Sequence, residues 1–428
     1  MKTAIVGGGV SGLVAARELD RAGDEICVFE AGVRPGGHSN TVEVETPGGS
    51  WAVDTGFIVF NDRNYPNFRQ LLSELGVATQ PSTMSFSVSD GRGEFEWAAT
   101  PLGLFANLGH IVDPSFHRML FDLRRFFREA RELIGTNGSG PSLREFCESR
   151  GYSQYFVERL IVPQVAAVWS ADPEQLWSFP ASFIAEFFAN HGSLQLLGRP
   201  RWHTVTGGSQ RYVNALTAPF ASRIRTAARV WSVARDDRGV EIRWDGGCER
   251  FDRVVFACHS DQALAMLADP SDSEREVLGA IAYQENETVL HTDRGLMPRR
   301  RAAWASWNYH LTGDPAGRTT VTYHMNRLQS LAADREFLVT LNRTADIDPA
   351  KVIRTTSYAH PVYTREAVAA QARWAEVSHG RTHFCGAYWR WGFHEDGVWS
   401  ALRACGAMGA LERGRTVMPR AALELAAA

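Results

Sequence analysis

The chain has no apolar run of the roughly 18 residues needed for a membrane-crossing helix. Its six cysteines (Cys27, Cys147, Cys248, Cys258, Cys385 and Cys405) show no C-x-x-C or other metal spacing. Several of them lie inside apolar strands, as small hydrophobes in a reduced compartment do. An excess of either charge is also missing. With 45 basic and 48 acidic residues, the net charge of −3 leaves no basic footprint for nucleic acid. Lysine is nearly absent: only Lys2 and Lys351 are lysine and the other basic residues are arginine, the usage of a GC-rich bacterial genome. Internal repeats and low-complexity linkers are absent as well. Met1-Lys2 leads straight into a strand, the start expected of a chain without a signal peptide. A cytoplasmic protein is expected, soluble or peripheral to the inner face of the membrane.

What is present begins at once. Residues 4–6 are a short apolar strand that runs into Gly7-Gly8-Gly9-Val10-Ser11-Gly12 and a helical stretch over 13–21. A second strand, residues 26–29, ends in Glu30. Strand, G-x-G-x-x-G, helix, strand and acidic residue form a dinucleotide-binding pattern. Gly7 makes the tight exit, Gly9 lets the backbone approach a pyrophosphate, and Gly12 lets helix and sheet pack closely. The first-turn amides of Val10 and Ser11 face the phosphates, and Glu30 would accept from ribose hydroxyls.

After Glu30 and Ala31 come Arg34-Pro35-Gly36-Gly37-His38 and then Asp54-Thr55-Gly56-Phe57-Ile58. Here the chain resembles the flavin-containing amine oxidase and phytoene desaturase superfamily, whose members follow the ribose-binding Glu with R-x-G-G-R and a strand ending in acidic-x-Gly. His38 stands where the second Arg is usual, which leaves one cofactor contact open and raises a covalent flavin link at His38 as a side hypothesis. Near the other end, residues 382–388 read as a strand ending at Gly386. An aromatic turn and His394-Glu395-Asp396-Gly397-Val398 follow, opening a helix over 398–408. The resemblance implies that this helix N-terminus meets the flavin and that Val230 packs its backbone against the adenine. FAD is the expected cofactor.

At 428 residues the chain exceeds the usual single core of about 250–300. The expected fold class is α/β (α+β overall): a Rossmann-like FAD-binding domain from residues 1–75, 200–265 and 375–428, with a mixed α/β substrate or cap domain from 76–199 and 266–374. Three segments (229–233, 240–244 and 253–257) read as strands of the nucleotide-binding fold. The tail over 421–428 reads as a frayed terminus. Residues 101–197 are helix-periodic and aromatic, with Phe116, Phe121, Phe126, Phe127, Tyr152, Tyr155, Phe156, Trp169, Trp177, Phe179, Phe183, Phe187 and Phe188. Most of these are core, and their number argues for a wide apolar cavity or an apolar entrance. Arg118, Arg124, Arg125, Arg128 and Arg131 recur at near-helical spacing, as a solvated face or as a basic surface for anionic headgroups.

Further motifs, residues 203–213, 298–309, 322–329 and 392–397, resemble one branch of the superfamily, bacterial FAD-binding proteins associated with cyclopropane-type fatty-acid methyltransferases. That association implies an unsaturated or methyl-branched fatty-acyl substrate and hydride abstraction leading to desaturation or double-bond isomerisation. Acid/base candidates are His394 first, then Tyr309, with Tyr323, His310 and His324. Amine oxidation is the alternative. Trp389 and Trp391 could form part of an aromatic cage, but neither Lys2 nor Lys351 sits where the superfamily's flavin-bridging Lys is expected. No second G-x-G-x-x-G supports an NAD(P)H-linked reductase. A non-catalytic alternative is an FAD-binding partner of a lipid methyltransferase. The expected ligand is a small apolar molecule, with a membrane surface or a methyltransferase as further contacts and the oligomeric state open.

Overall fold

The computed structural model describes residues 1–136, 140–192, 194, 200–313 and 317–411, so the frayed-tail reading of 421–428 lies outside the described residues. At its centre is a five-stranded parallel sheet in the order Ile224–Arg225, β2 (Glu25–Phe29), β1 (Lys2–Val6), Arg253–Phe256 and Thr382–Phe384. Ala4 is registered against Cys27 on one side and Val254 on the other, and Val255 against His383. Ala4, Ile5, Val28, Val254, Val255 and Phe256 are fully buried, as strands covered on both faces must be.

Helix α1 (Val10–Arg21) covers one face with Leu13, Val14, Ala15, Ala16 and Leu19, all fully buried. A Cβ on Gly12 would stand 1.9 Å from the Gly7 carbonyl oxygen, so glycine sets how closely helix and sheet pack. The helix His394–Ala407 lies beside α1, with the Cβ position of Gly397 only 2.8 Å from Val10 Cγ1. It starts four residues before the expected 398, because the Asp396 carboxylate accepts from the Phe393 amide at 2.9 Å and caps the end there.

Two of the three segments read as strands of the nucleotide-binding fold pair outside the parallel sheet, although their buried Val230, Val233, Val240 and Ile242 join its core. Val230–Asp236 and Gly239–Trp244 form an antiparallel meander with Gly247–Phe251, and only Arg253–Phe256 joins the parallel sheet. The pattern explains the difference. In the first strand, buried Val230 and Val233 are separated by exposed Trp231 and half-buried Ser232, which suits a sheet wet on one face.

A second, seven-stranded sheet runs in the order Val352–Pro361, Tyr283–His291, Leu338–Leu341, Val321–His324, Trp307–His310, Phe86–Ser89 and Glu96–Ala98. Strand Phe86–Ser89 pairs in parallel with Trp307–His310, which ties the two interrupting regions into one sheet. The helices of 101–197 pack on it around a core that contains Phe116, Phe126, Phe156, Trp169, Phe179, Phe183, Phe187 and Phe188. Of the thirteen aromatic residues singled out in that region, only Phe121 is exposed. The others fill or flank this core.

Candidate functional site

The parallel strands end on one side at three loops that meet: Gly7–Gly9, residues 257–259, and Cys385-Gly386. Gly7 takes φ +111°, and a Cβ there would lie 2.8 Å from the Ala257 carbonyl oxygen, so the turn is open to glycine alone. At Gly9 the backbone is ordinary (φ −75°) and a Cβ would meet no protein atom within 4 Å. Neither strain nor packing requires glycine at that position. The reason is space: a cradle kept open in front of helix α1. The first helical bond is Leu13 N to Gly9 O, so the amides of Val10, Ser11 and Gly12 precede the ladder and point into the cradle's mouth. These residues fit the diphosphate of a dinucleotide.

The other expected cofactor residues converge on this mouth. Glu30 at the end of β2 accepts from Gly8 N at 2.8 Å and Gly32 N at 2.6 Å, with Ala31 between them at the surface. Gly36 N bonds Gly8 O at 2.8 Å, and the Cβ position of Gly37 lies 3.2 Å from Gly9 Cα, so the Gly-Gly turn rests on the glycine loop. Arg34 serves this turn, donating to the Pro35 and Ser39 carbonyls and to Gln210. Ala228 N bonds Glu30 O, which brings the buried Val230 close to the same edge. Gly56 fits against the His38 carbonyl, and Phe57 N donates to that oxygen at 2.7 Å. Ile58 is buried, its carbonyl taken by Thr204 Oγ1. Gly386 N donates to Ser400 Oγ, and Val398 is buried in the sheet core.

Several charged or catalytic candidates have other work. Glu395 is buried and faces helix α2 (Pro66–Glu74), accepting from Asn67 N, Asn67 Nδ2 at 2.6 Å and Phe68 N at 2.9 Å. Burial pushes its carboxyl up to about 7. His394 lies flat on Phe57, with ring centroids 3.6 Å apart. Its Nε2 is within bonding distance of Tyr212 Oη (2.7 Å) and Ser39 Oγ (3.1 Å). Burial holds it neutral, well below the ordinary imidazole range. Tyr309 and Tyr323 are on the second sheet and look toward residues 170–172: burial raises both phenols to about 12, against hydrogen bonding with Thr319 and Ser170 respectively. His310 bonds Thr322 Oγ1, and His324 pairs with Glu336 at 2.7 Å. Trp389 is buried against Tyr388, while Trp391 packs near Phe183 in the cap core.

Asp54 closes the acidic-x-Gly strand Gly49–Asp54 as a clamp. Its carboxylate accepts from Thr41 Oγ1 (2.6 Å), Ser209 N, Ser209 Oγ (2.7 Å) and Gln329 Nε2 (3.0 Å). The Gly207-Gly208-Ser209 turn exists to deliver those Ser209 donors at the start of helix Gln210–Thr217. Burial raises Asp54 to about 6 against these donors, so it is ionised at neutral pH. Asp54→Ala strands four donors, three of them buried, and we expect it to lower unfolding stability by about 3 kcal/mol, read as a fall in the urea midpoint.

Sequence reasoning singled out His38 but passed over His259, Tyr283, Tyr358 and His360, which line the remaining wall with it. His38 stacks on Tyr358 at 4.8 Å and meets His360 edge-on at 5.4 Å. His259 stacks on Tyr283 at 4.2 Å. Burial lowers His38 and His259 to about 4 and His360 to about 3, with the other imidazoles adding to the shift of His38 and His360. His360 is oriented by a fixed chain. Asn286 Oδ1 accepts from Gln284 Nε2 (3.1 Å) and Asn342 Nδ2 (2.7 Å), which identifies its oxygen and leaves Nδ2 to donate to His360 Nδ1 at 3.0 Å. Neutral His360 therefore carries its proton on Nε2, which has no partner among the described residues. Tyr358 and His360 stand two apart on one strand and so share a face, a signal present in the sequence.

A family model described as flavin containing amine oxidoreductase matches residues 10–295. The protein named "Putative flavin-containing monoamine oxidase AofH" of Mycobacterium tuberculosis is 27% identical over 331 residues, 72% of this chain and 66% of that protein. The chain thus spans about two thirds of that relative's length. Cyclohexylamine oxidase from Brevibacterium oxydans superposes with a TM-score of 0.70 at 16% identity, covering 95% of this chain and 98% of the other. A fatty acid isomerase from P. acnes that produces CLA gives 0.67 at 14% identity, with 94% and 97% coverage.

Proposed function

The chain belongs to the flavin-containing amine oxidoreductase family, and from that premise we propose that it removes hydride from a neutral, apolar substrate of unsaturated or methyl-branched fatty-acyl type. FAD is its cofactor and the protein is an FAD-dependent oxidoreductase of amine oxidase type. When bound, FAD supplies the two-electron acceptor. The chain supplies the rest. The cradle at Gly9 and the first-turn amides of α1 would hold the diphosphate, Glu30 would stand toward the ribose, and the N-terminus of helix 394–407 would add its dipole.

The observation that carries the substrate reading is the charge state of the wall. His38, His259, His360 and His394 are all held neutral, and the rings they stack on are Tyr358, Tyr283 and Phe57. Both lysines are engaged elsewhere: Lys2 with Glu249 and Glu25, Lys351 with Asp293 and Asp348. Such a wall suits an uncharged ligand, and none of these side chains offers an ammonium a counter-charge. On this reading His360 Nε2–H would give or hold a proton at the substrate. Desaturation and double-bond isomerisation both begin with the same hydride loss.

Anaerobic visible spectroscopy of the purified holoenzyme tests the reading. Bleaching of the flavin band by unsaturated or methylated acyl lipids is expected, and bleaching by amines alone would replace it with amine oxidation. That alternative draws on the likeness to cyclohexylamine oxidase. Firmly bound flavin with no bleaching and no altered lipid product would favour an FAD-binding partner of a lipid methyltransferase. His360→Phe should retain FAD and slow lipid-driven bleaching about 100-fold, the usual size of a lost proton-transfer group.

A further inference from the structure

Among the described residues, five of the eight large apolar side chains most open to solvent fall between residues 102 and 121. Leu102 is 85% exposed, Leu108 73%, Ile111 54%, Val112 81% and Phe121 56%. Their neighbours are firmly seated. His110 stacks on Phe116 at 4.2 Å, Phe105 packs on the same ring, and His117 Nε2 lies 2.8 Å from the Ile111 carbonyl. The segment is anchored by these inward rings while its aliphatic residues are held outward.

Helix α3 (Pro114–Glu129) continues the surface. Its outer face reads His117, Arg118, Phe121, Arg124 and Arg128 at three- and four-residue steps. Its acids point the other way. Asp122 is fully buried and accepts from Arg118, Arg125 and Ser153 N, and Glu129 accepts from Tyr152 Oη and Arg128. Of the flanking acids, Asp113 accepts from Ser115 N and Tyr155 Oη, and Glu132 pairs with Arg150. Arg124 forms no ion pair among the described residues. The outward face is thus apolar side chains rimmed by arginine.

We propose that residues 102–121, with the outer face of α3, dock the protein on an anionic bilayer surface: Leu102, Leu108, Ile111, Val112 and Phe121 enter the interface while Arg118, Arg124 and Arg128 meet headgroup charge. The pairing of an apolar stripe with a cationic rim is what such a surface recognises. A second copy of this chain fits it poorly, because a two-fold contact would bring the same arginines face to face. The proposal stands apart from the substrate reading, since docking needs no turnover.

Sedimentation of the FAD-loaded protein with vesicles decides it. Phosphatidylcholine vesicles are compared with an equimolar phosphatidylcholine–phosphatidylglycerol mixture. Pelleting with the mixture, weakened by salt, is expected. Arg124→Glu with Arg128→Glu should reduce partitioning by about fivefold or more per position. Leu102→Ser with Leu108→Ser and Val112→Ser should reduce it by about tenfold or more in all. These side chains are mostly exposed, so the flavin spectrum and Tm of both variants should match the parent and exclude misfolding. Protein that stays in solution with both vesicles, or variants that pellet as well as the parent, would overturn the proposal. So would loss of self-association in the apolar variant without any vesicle binding, which would assign the patch to a second copy.

Discussion

Replacing Gly9 by alanine should leave the protein folded and colourless. The added methyl meets no protein atom within 4 Å, and φ −75° suits alanine, so Tm of the flavin-free protein should stay level or rise slightly. The same methyl fills the cradle where the diphosphate must approach. Losing two charge-assisted amide bonds of about 1.5–3 kcal/mol each would weaken FAD binding by on the order of 1,000-fold. Gly12→Ala is the control with the opposite profile. Its Cβ at 1.9 Å from the Gly7 carbonyl forces α1 off the sheet, so Tm should fall, with an overpacking cost of about 1–3 kcal/mol. Thermal unfolding and the flavin-to-protein absorbance ratio separate the two. A yellow Gly9→Ala protein would remove the cradle from the binding site.

The protein should also be markedly acid-labile. Six imidazoles besides His394 sit far below their ordinary range: His38, His259, His291 and His383 at about 4, His310 and His360 at about 3, each chiefly through desolvation. In the unfolded chain each titrates near 6.5. Between about pH 4 and 6.5 the unfolded state therefore binds more protons than the native state, and stability falls as pH falls. Asp54 and Glu395, raised to about 6 and about 7, act in the opposite sense: the stability they confer is fully present below about pH 4 and is lost as pH rises through those values. Six groups outweigh two. Urea unfolding should show a net loss on the order of 5 kcal/mol from pH 7 to pH 5. His291, His310 and His383 lie outside the flavin mouth, so His310→Gln should flatten the pH profile without changing FAD content. A flat profile in the parent protein would contradict this.

Much of the cofactor cradle was legible because it is written locally. The G-x-G-x-x-G loop works through backbone amides, and spacing alone places amides. The clamp at Asp54 and the chain behind His360 were not legible. Ser209 lies 155 residues from Asp54, Glu395 caps amides 328 and 327 residues earlier, and Asn286 orients a histidine 74 residues on. Periodicity carries no information about such pairings. The strand at 230–236 was readable in principle, since Trp231 and Ser232 interrupt its buried Val230 and Val233 and so separate a half-wet meander from the uniformly buried strand 253–256. His394 shows a different limit. Its motif position is beside the cofactor mouth, yet only the fold reveals that Tyr212 and Ser39 occupy its Nε2.

The parallel sheet has a consequence for how the chain comes into being. Strand β1 spans residues 2–6, its neighbour spans 253–256, and the edge strand spans 382–384. A ribosome exposes the first strand long before either of the others exists, so the apolar flank of β1 waits through most of synthesis without its partner. Sheets closed by such distant segments assemble slowly and late. Nascent chains that end before residue 380 should remain protease-sensitive and unable to retain FAD. The yellow colour would appear only after the final strand has left the exit tunnel.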